Sequence, residues 1–267
     1  VNFQPVLPLA GYGGWRFLQR TLESQQATFA ESAPVKRATD QFRERIGAIQ
    51  TADDLVADRQ LLQVALGAFG LDDDINNRFF IAKVLSEGTG SNAALSARLA
   101  DKRYAAFSAE FGLGEGQTPR TALPGFAERI INRYESRQFE RAVGDQDNDL
   151  RSALNLTNGL RDIVSGSGSN TARWFSIMGD PPVRAVIETA LGLPASIGRL
   201  DIDRQLDMFK DRARATFGTD AVADLTDPAS QEKLIRLFLI RSEASASAAT
   251  SNGAIALTLL QNTLRPA

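Results

Sequence analysis

The sequence predicts an all-α protein with a multi-helix body of two helical lobes. Three observations predict it. Apolar residues recur at helical spacing along most of the chain, glycine follows an apolar residue where those stripes stop, and convincing period-2 alternation of β-branched residues is missing. At least about 60% helix and essentially no sheet follow from this pattern.

The elements are read in chain order. Residues 1–34 are an N-terminal arm and helix: two prolines and three glycines lie within residues 1–14, and residues 15–32 then form an amphipathic helix. Trp15, Leu18, Leu22 and Phe29 fall on or near one side of it, and Arg16, Arg20 and Glu23 mark its wet side. Residues 35–165 are the first lobe. Thr51 and Asp54 have capping-box spacing, and Phe126, Ile130 and Tyr134 form one apolar face.

A hinge at Gly166–Asn170 leads to the second lobe, residues 166–241. Asp180-Pro181 and Asp227-Pro228 read as N-cap and first helical position, because proline lacks only a donor that would be orphaned there. Val183, Val186, Ile187, Ala190 and Leu191 form a continuous stripe, and Leu206, Phe209, Ala213 and Phe217 form another. Leu234–Arg241 reads as a buried helix rather than a short strand, given its length after Pro228. Helix stops are expected at Gly70, Gly112, Gly192 and Gly218, and loops at 88–92, 112–119, 165–170 and 242–253. Residues 242–267 are a Ser/Ala-rich segment followed by a helix with a weak stripe of Ile255, Leu259 and Leu260. Asp58–Leu71 and Asp180–Leu193 share an acidic start, an apolar helix and a glycine stop. That likeness fits either an internal duplication or two hairpins that obey the same capping rules.

Composition excludes several kinds of chemistry. The 267 residues contain no Cys and no His, so there is no thiol nucleophile, thiolate or imidazole metal site, or Ser-His-Asp triad. Net charge is −2, which argues against nucleic-acid binding. No apolar run approaches the length of about 20 residues that a membrane span requires. The first residues lack the basic and apolar regions of a cleaved signal peptide.

Residues with a pattern near that of a site also fail on spacing. A calcium loop starting at Asp72 would need Gly and Glu where Asn77 and Lys83 stand, and one starting at Asp145 meets Leu150 and Leu156. Gly88-Thr89-Gly90 and Gly112-Leu113-Gly114 follow no strand and lack the last glycine of a dinucleotide turn. Asp101 and Tyr104 would share a helix face, with Tyr104 more simply an anchor for the core. The expectation is therefore no catalytic residue, no metal and no cofactor.

Several strings agree in order and spacing with one family. They are Leu55–Ile75 (LVADRQLLQVALGAFGLDDDI), Phe80–Thr89, Leu99–Gly114, the block from Tyr134 to Leu154, Asp180–Pro194, Asp201–Gln205 and Asp224–Pro228. Together they resemble the DUF1217 family, over residues 35–241. Its members occur largely in alphaproteobacteria, often within flagellar gene clusters. The resemblance implies a non-catalytic, flagellum-associated structural, assembly or interaction protein whose partners are proteins, flagellar components among them. It is expected in the cytoplasm or exported by the flagellar apparatus without a cleaved signal peptide, and Val1 reads as a literally translated GTG start. It transfers no catalytic residues.

Trp15, Phe17, Leu18 and Leu22 cannot all be buried by a lone helix, so they either dock on the chain's own body or bind a partner. The competing expectation is an enzyme or ligand-binding module that uses carboxylates and arginines in a cleft between the lobes.

Overall fold

A computed structural model describes residues 3–91 and 93–263, with side chains described as far as residue 247. Among the described residues 75% of the chain is helical and no strand occurs. The helices are α1 (Gly11–Ala30), α2 (Ala33–Arg45), α3 (Ala52–Ala57), α4 (Arg59–Ala68), α5 (Arg78–Glu87), α6 (Leu95–Arg98), α7 (Arg103–Phe111), α8 (Phe126–Gly144), α9 (Asn148–Ser165), α10 (Asn170–Met178), α11 (Pro181–Leu191), α12 (Ile202–Phe217) and α13 (Pro228–Thr263).

The chain separates into two compact units: Val1–Pro8 with Phe17–Asp147, and Leu9–Arg16 with Asn148–Ala267. The sequence pattern places the division at the Gly166–Asn170 hinge; the structure places it at Asp147/Asn148 and assigns residues 9–16 to the later unit. Of this stretch, residues 166–169 form only the turn between α9 and α10, and Asn170 opens α10, which Ser169 caps by accepting from the Ala172 N–H at 3.2 Å.

In the first unit α4 lies against α8 and α2. Leu61, Leu62, Val64, Ala65, Leu66 and Ala68 of α4 are all buried. Gly67 lets α8 come close: a Cβ there would stand 2.8 Å from the Tyr134 ring and 2.9 Å from Gln138 Nε2. Aromatic contacts extend this core, edge-on between Phe69 and Phe107 and between Phe111 and Phe126 and tilted between Phe107 and Phe111, with ring centroids 5.0–5.3 Å apart.

In the second unit α11 lies against α13 and α9. The stripe Val183, Val186, Ile187, Ala190 and Leu191 is wholly buried. Trp174 is 0% exposed, and its indole N–H donates to the Asp220 carbonyl at 2.8 Å. Leu234–Arg241 lies within α13 as a helix, with Leu234, Ile235, Phe238 and Leu239 buried.

The local start and stop signals appear as the sequence predicts. Thr51 and Asp54 exchange both bonds of a capping box, at 3.1 and 2.9 Å. Asp180 caps α11 through the Val183 N–H at 3.1 Å, and Asp227 accepts from the Ala229 N–H at 3.0 Å. Gly70, Gly112, Gly192 and Gly218 all take positive φ after their helices.

Three expectations on element bounds are corrected. α1 starts at Gly11, not residue 15, because Tyr12, Trp15 and Arg16 are held by tertiary contacts that outweigh the helix-breaking tendency of three glycines. It ends at Ala30, just before Pro34 opens α2. The expected loop at 242–253 is instead part of α13, where alanines supply high helix propensity between the serines. The predicted stripe of Ile255, Leu259 and Leu260 lies outside the described side chains, and Val1 and Asn92 lie outside the described residues.

Candidate functional site

The candidate partner-binding residues of α1 are not equivalent in the fold. Trp15 is 3% exposed and Leu18 0%, whereas Phe17 and Leu22 are half-buried. Trp15 belongs to the second unit, where the first turns of α1 meet Glu232 of α13. The Tyr12 hydroxyl donates to Glu232 Oε1 at 2.5 Å, and the Arg16 guanidinium does so at 3.2 Å. The Trp15 indole N–H is buried without a hydrogen bond of ordinary geometry, yet it is near enough to help hold the carboxylate ionised. Burial pushes the Glu232 pKa up, but these three donors outweigh it and hold the group below the usual glutamate range. The same carboxylate raises the Tyr12 pKa, chiefly through their hydrogen bond.

A second arrangement, in the first unit, was not foreseen from the sequence. Residues 3–8 run without helix ahead of α1. The Val6 N–H donates to Gln25 Oε1 at 2.8 Å, and Gln25 Nε2 donates back to the Val6 carbonyl at 3.2 Å. Gln146 Nε2 donates to the Pro5 carbonyl at 2.8 Å. Phe3 meets Phe29 edge-on at 5.8 Å, and Phe29 meets Phe139 in the same way. One signal pointed here: Gln25 stands with Leu18, Leu22 and Phe29 on the buried side of α1, a polar residue in an apolar stripe.

The acidic run is engaged within the fold. Asp72–Asn76 forms a 3-10 turn. Asp72 accepts from Gln138 Nε2 at 2.7 Å and pairs with Arg141 at 3.3 Å. Asp74 accepts from the Tyr104 hydroxyl at 2.6 Å and from Asn77 Nδ2 at 2.7 Å. Burial first, and the Asp74 bond second, raise the Tyr104 pKa far above its ordinary value.

Asp101 and Tyr104 do not form the shared helix face that their spacing predicts. α7 begins only at Arg103, so Asp101 turns back to accept the Arg103 N–H at 2.9 Å and the Arg103 guanidinium at 2.6 Å. Burial raises the Asp101 pKa, but the Arg103 bonds and charge bring it below the usual range. In the later acidic series, Asp149 accepts from the Ser242 hydroxyl at 2.6 Å. No group of three potential metal-ligating side chains converges among the described residues.

Two clefts of the first unit share Arg59. One is lined by Arg45, Asp54 and Asp58, the other by Gln63, Asp72 and Arg141. Arg45 is paired with Asp58, and the Arg59 guanidinium donates to Asn76 Oδ1 at 3.2 Å. No helix among the described residues is long and apolar enough to cross a membrane.

The chain is similar to the X-ray crystal structure of a protein from Agrobacterium tumefaciens, with a TM-score of 0.72 and 25% sequence identity over 90% of this chain and 98% of that one. No match was found among curated proteins. The family model for a protein of unknown function, DUF1217, matches residues 68–230, a stretch that takes in α5–α12 and the acidic turn, and the chain therefore belongs to the DUF1217 family.

Proposed function

We propose that this protein is a non-catalytic structural or interaction protein associated with the flagellum and its assembly. One observation carries the non-catalytic part: the carboxylates and tyrosine with the strongest claim to chemistry are committed to holding helix ends together. Asp72, Asp74 and Tyr104 tie the acidic turn to α7 and α8, and Asp101 accepts the N–H of Arg103, the first residue of α7. A general acid or base needs a proton that can be exchanged near working pH, and Tyr104 is pushed far from that range. The flagellar context comes with family membership, through the gene neighbourhood already noted for it.

The test is a clean gene deletion scored for swimming in soft agar, with the tagged full chain used to capture partners from the same organism. Loss of swimming, restored by the wild-type gene, and co-capture of flagellar components are expected. Normal swimming in the deletion strain overturns the flagellar reading.

A further inference from the structure

Residues 3–8 are held in the way that proteins hold a bound extended peptide. A single carboxamide, Gln25, satisfies both the N–H and the carbonyl of Val6, and its Nε2 is oriented by a second bond to Thr21 Oγ1 at 2.8 Å. Gln146 takes the Pro5 carbonyl. These contacts read backbone and would accept many sequences; selectivity comes from Pro5, which is buried, and from Phe3, which meets Phe29 at its edge. The Val6 side chain points away, 57% exposed.

We infer that this groove, walled by Gln25 and Phe29 of α1, Phe139 of α8 and Gln146, is a peptide-docking site that residues 3–8 fill in cis, and that it accepts the same segment from a second copy of the chain in trans. The occupant follows from the structure: every copy carries both groove and ligand, so exchange between copies keeps each contact and adds none. The connection allows it. Leu9 and Ala10 are exposed and outside the helix, and Gly11 follows at φ +60°, a conformation glycine adopts without the penalty that a Cβ brings. A short connection favours the cis form with an effective concentration of roughly millimolar, so trans docking rises as the chain becomes crowded in solution or in an assembly. This pairing stands whether or not the protein serves the flagellum.

The chain contains no cysteine, so Val6→Cys provides a unique attachment point at an exposed side chain while leaving the Val6 backbone bonds in place. A benzophenone maleimide is attached there in full-length protein. Isotopically heavy and light copies are then mixed from low concentration to about 1 mM, irradiated, and mapped by mass spectrometry. Heavy–light cross-links from the arm to the stretches around Gln25 and Gln146 are expected, rising with concentration. With residues 1–8 deleted from the heavy, unlabelled copy so that its groove stands open, Gln25→Ala in that copy should cut the cross-links about tenfold, because the light arm's own groove keeps the two hydrogen bonds that the trans groove loses. Gln146→Ala, which touches only the Pro5 carbonyl, should cut them less and serves if Gln25→Ala disturbs α1. Cross-links confined to single copies at every concentration overturn the proposal. Heavy–light products that land elsewhere, or that neither substitution diminishes, overturn it too.

Discussion

Glu232 gathers Tyr12, Arg16 and the edge of Trp15, three residues more than 200 positions away in sequence, and the charge of that one carboxylate contributes to holding them. Its folded pKa lies below the ordinary value of 4.5 because those donors prefer the anion to a degree that burial does not cancel. A carboxylate depressed on folding stabilises the fold above its unfolded pKa, and that contribution is lost as pH falls through the folded value. Urea midpoints should therefore fall between about pH 5 and pH 3 more steeply in wild type than in Glu232→Gln, which cannot titrate. Parallel curves would assign the acid sensitivity to other carboxylates.

Trp15→Ala tests the neighbouring packing. Removing a buried indole leaves a cavity and should cost about 3–5 kcal/mol in chemical denaturation. A loss of that size with partner capture unchanged marks the start of α1 as structural. Unchanged stability with lost capture marks it as an interaction helix.

At the scale of elements, the contact of α4 with α8 depends on Gly67. Gly67→Ala places a methyl group where Tyr134 and Gln138 already stand, so overpacking outweighs the better helix propensity of alanine. The expected cost is about 1–3 kcal/mol, read as a lower urea midpoint. A neutral or stabilising result would mean that the Tyr134 ring yields freely.

What the sequence made legible at this scale was local. The capping box at Thr51, the Asp-Pro starts and the four glycine stops each depend on neighbours within a few residues, and all appear in the structure. The continuation of α13 through 242–253 and the start of α1 at Gly11 were not legible. Alanine favours helix while serine and glycine oppose it, so the mixed local preferences cancel and tertiary contacts decide the conformation. Arg16 on Glu232 and Ser242 on Asp149 are such contacts, and nothing in the local pattern announces them. The groove for residues 3–8 was hidden for the same reason, apart from Gln25 standing in an apolar stripe.

For the whole molecule, helical class was legible because periodicity is summed over many residues, whereas the division into units was not, because it does not follow chain order. A segment of eight residues, Leu9–Arg16, belongs with Asn148–Ala267 although more than a hundred residues intervene. Two truncations separate its role from that of the arm. Deleting residues 1–8 removes the contacts of Phe3, Pro5 and Val6, all made within the first unit. Deleting residues 1–16 also strips the second unit of Tyr12, Trp15 and Arg16, and leaves Glu232 half-buried without its donors.

The chain has two tryptophans, so Trp174 is the sole emitter once Trp15 is gone, and it sits fully buried in the second unit. In the shorter truncation, with Trp15→Phe to silence the other indole, the Trp174 transition should stay near that of full-length Trp15→Phe. In the longer one it should fall by an amount comparable to the about 3–5 kcal/mol of a lost buried indole, because that side chain and the ion-paired cluster go together. Coincident Trp174 transitions in the two truncations would show that residues 9–16 contribute nothing to the stability of the unit they belong to.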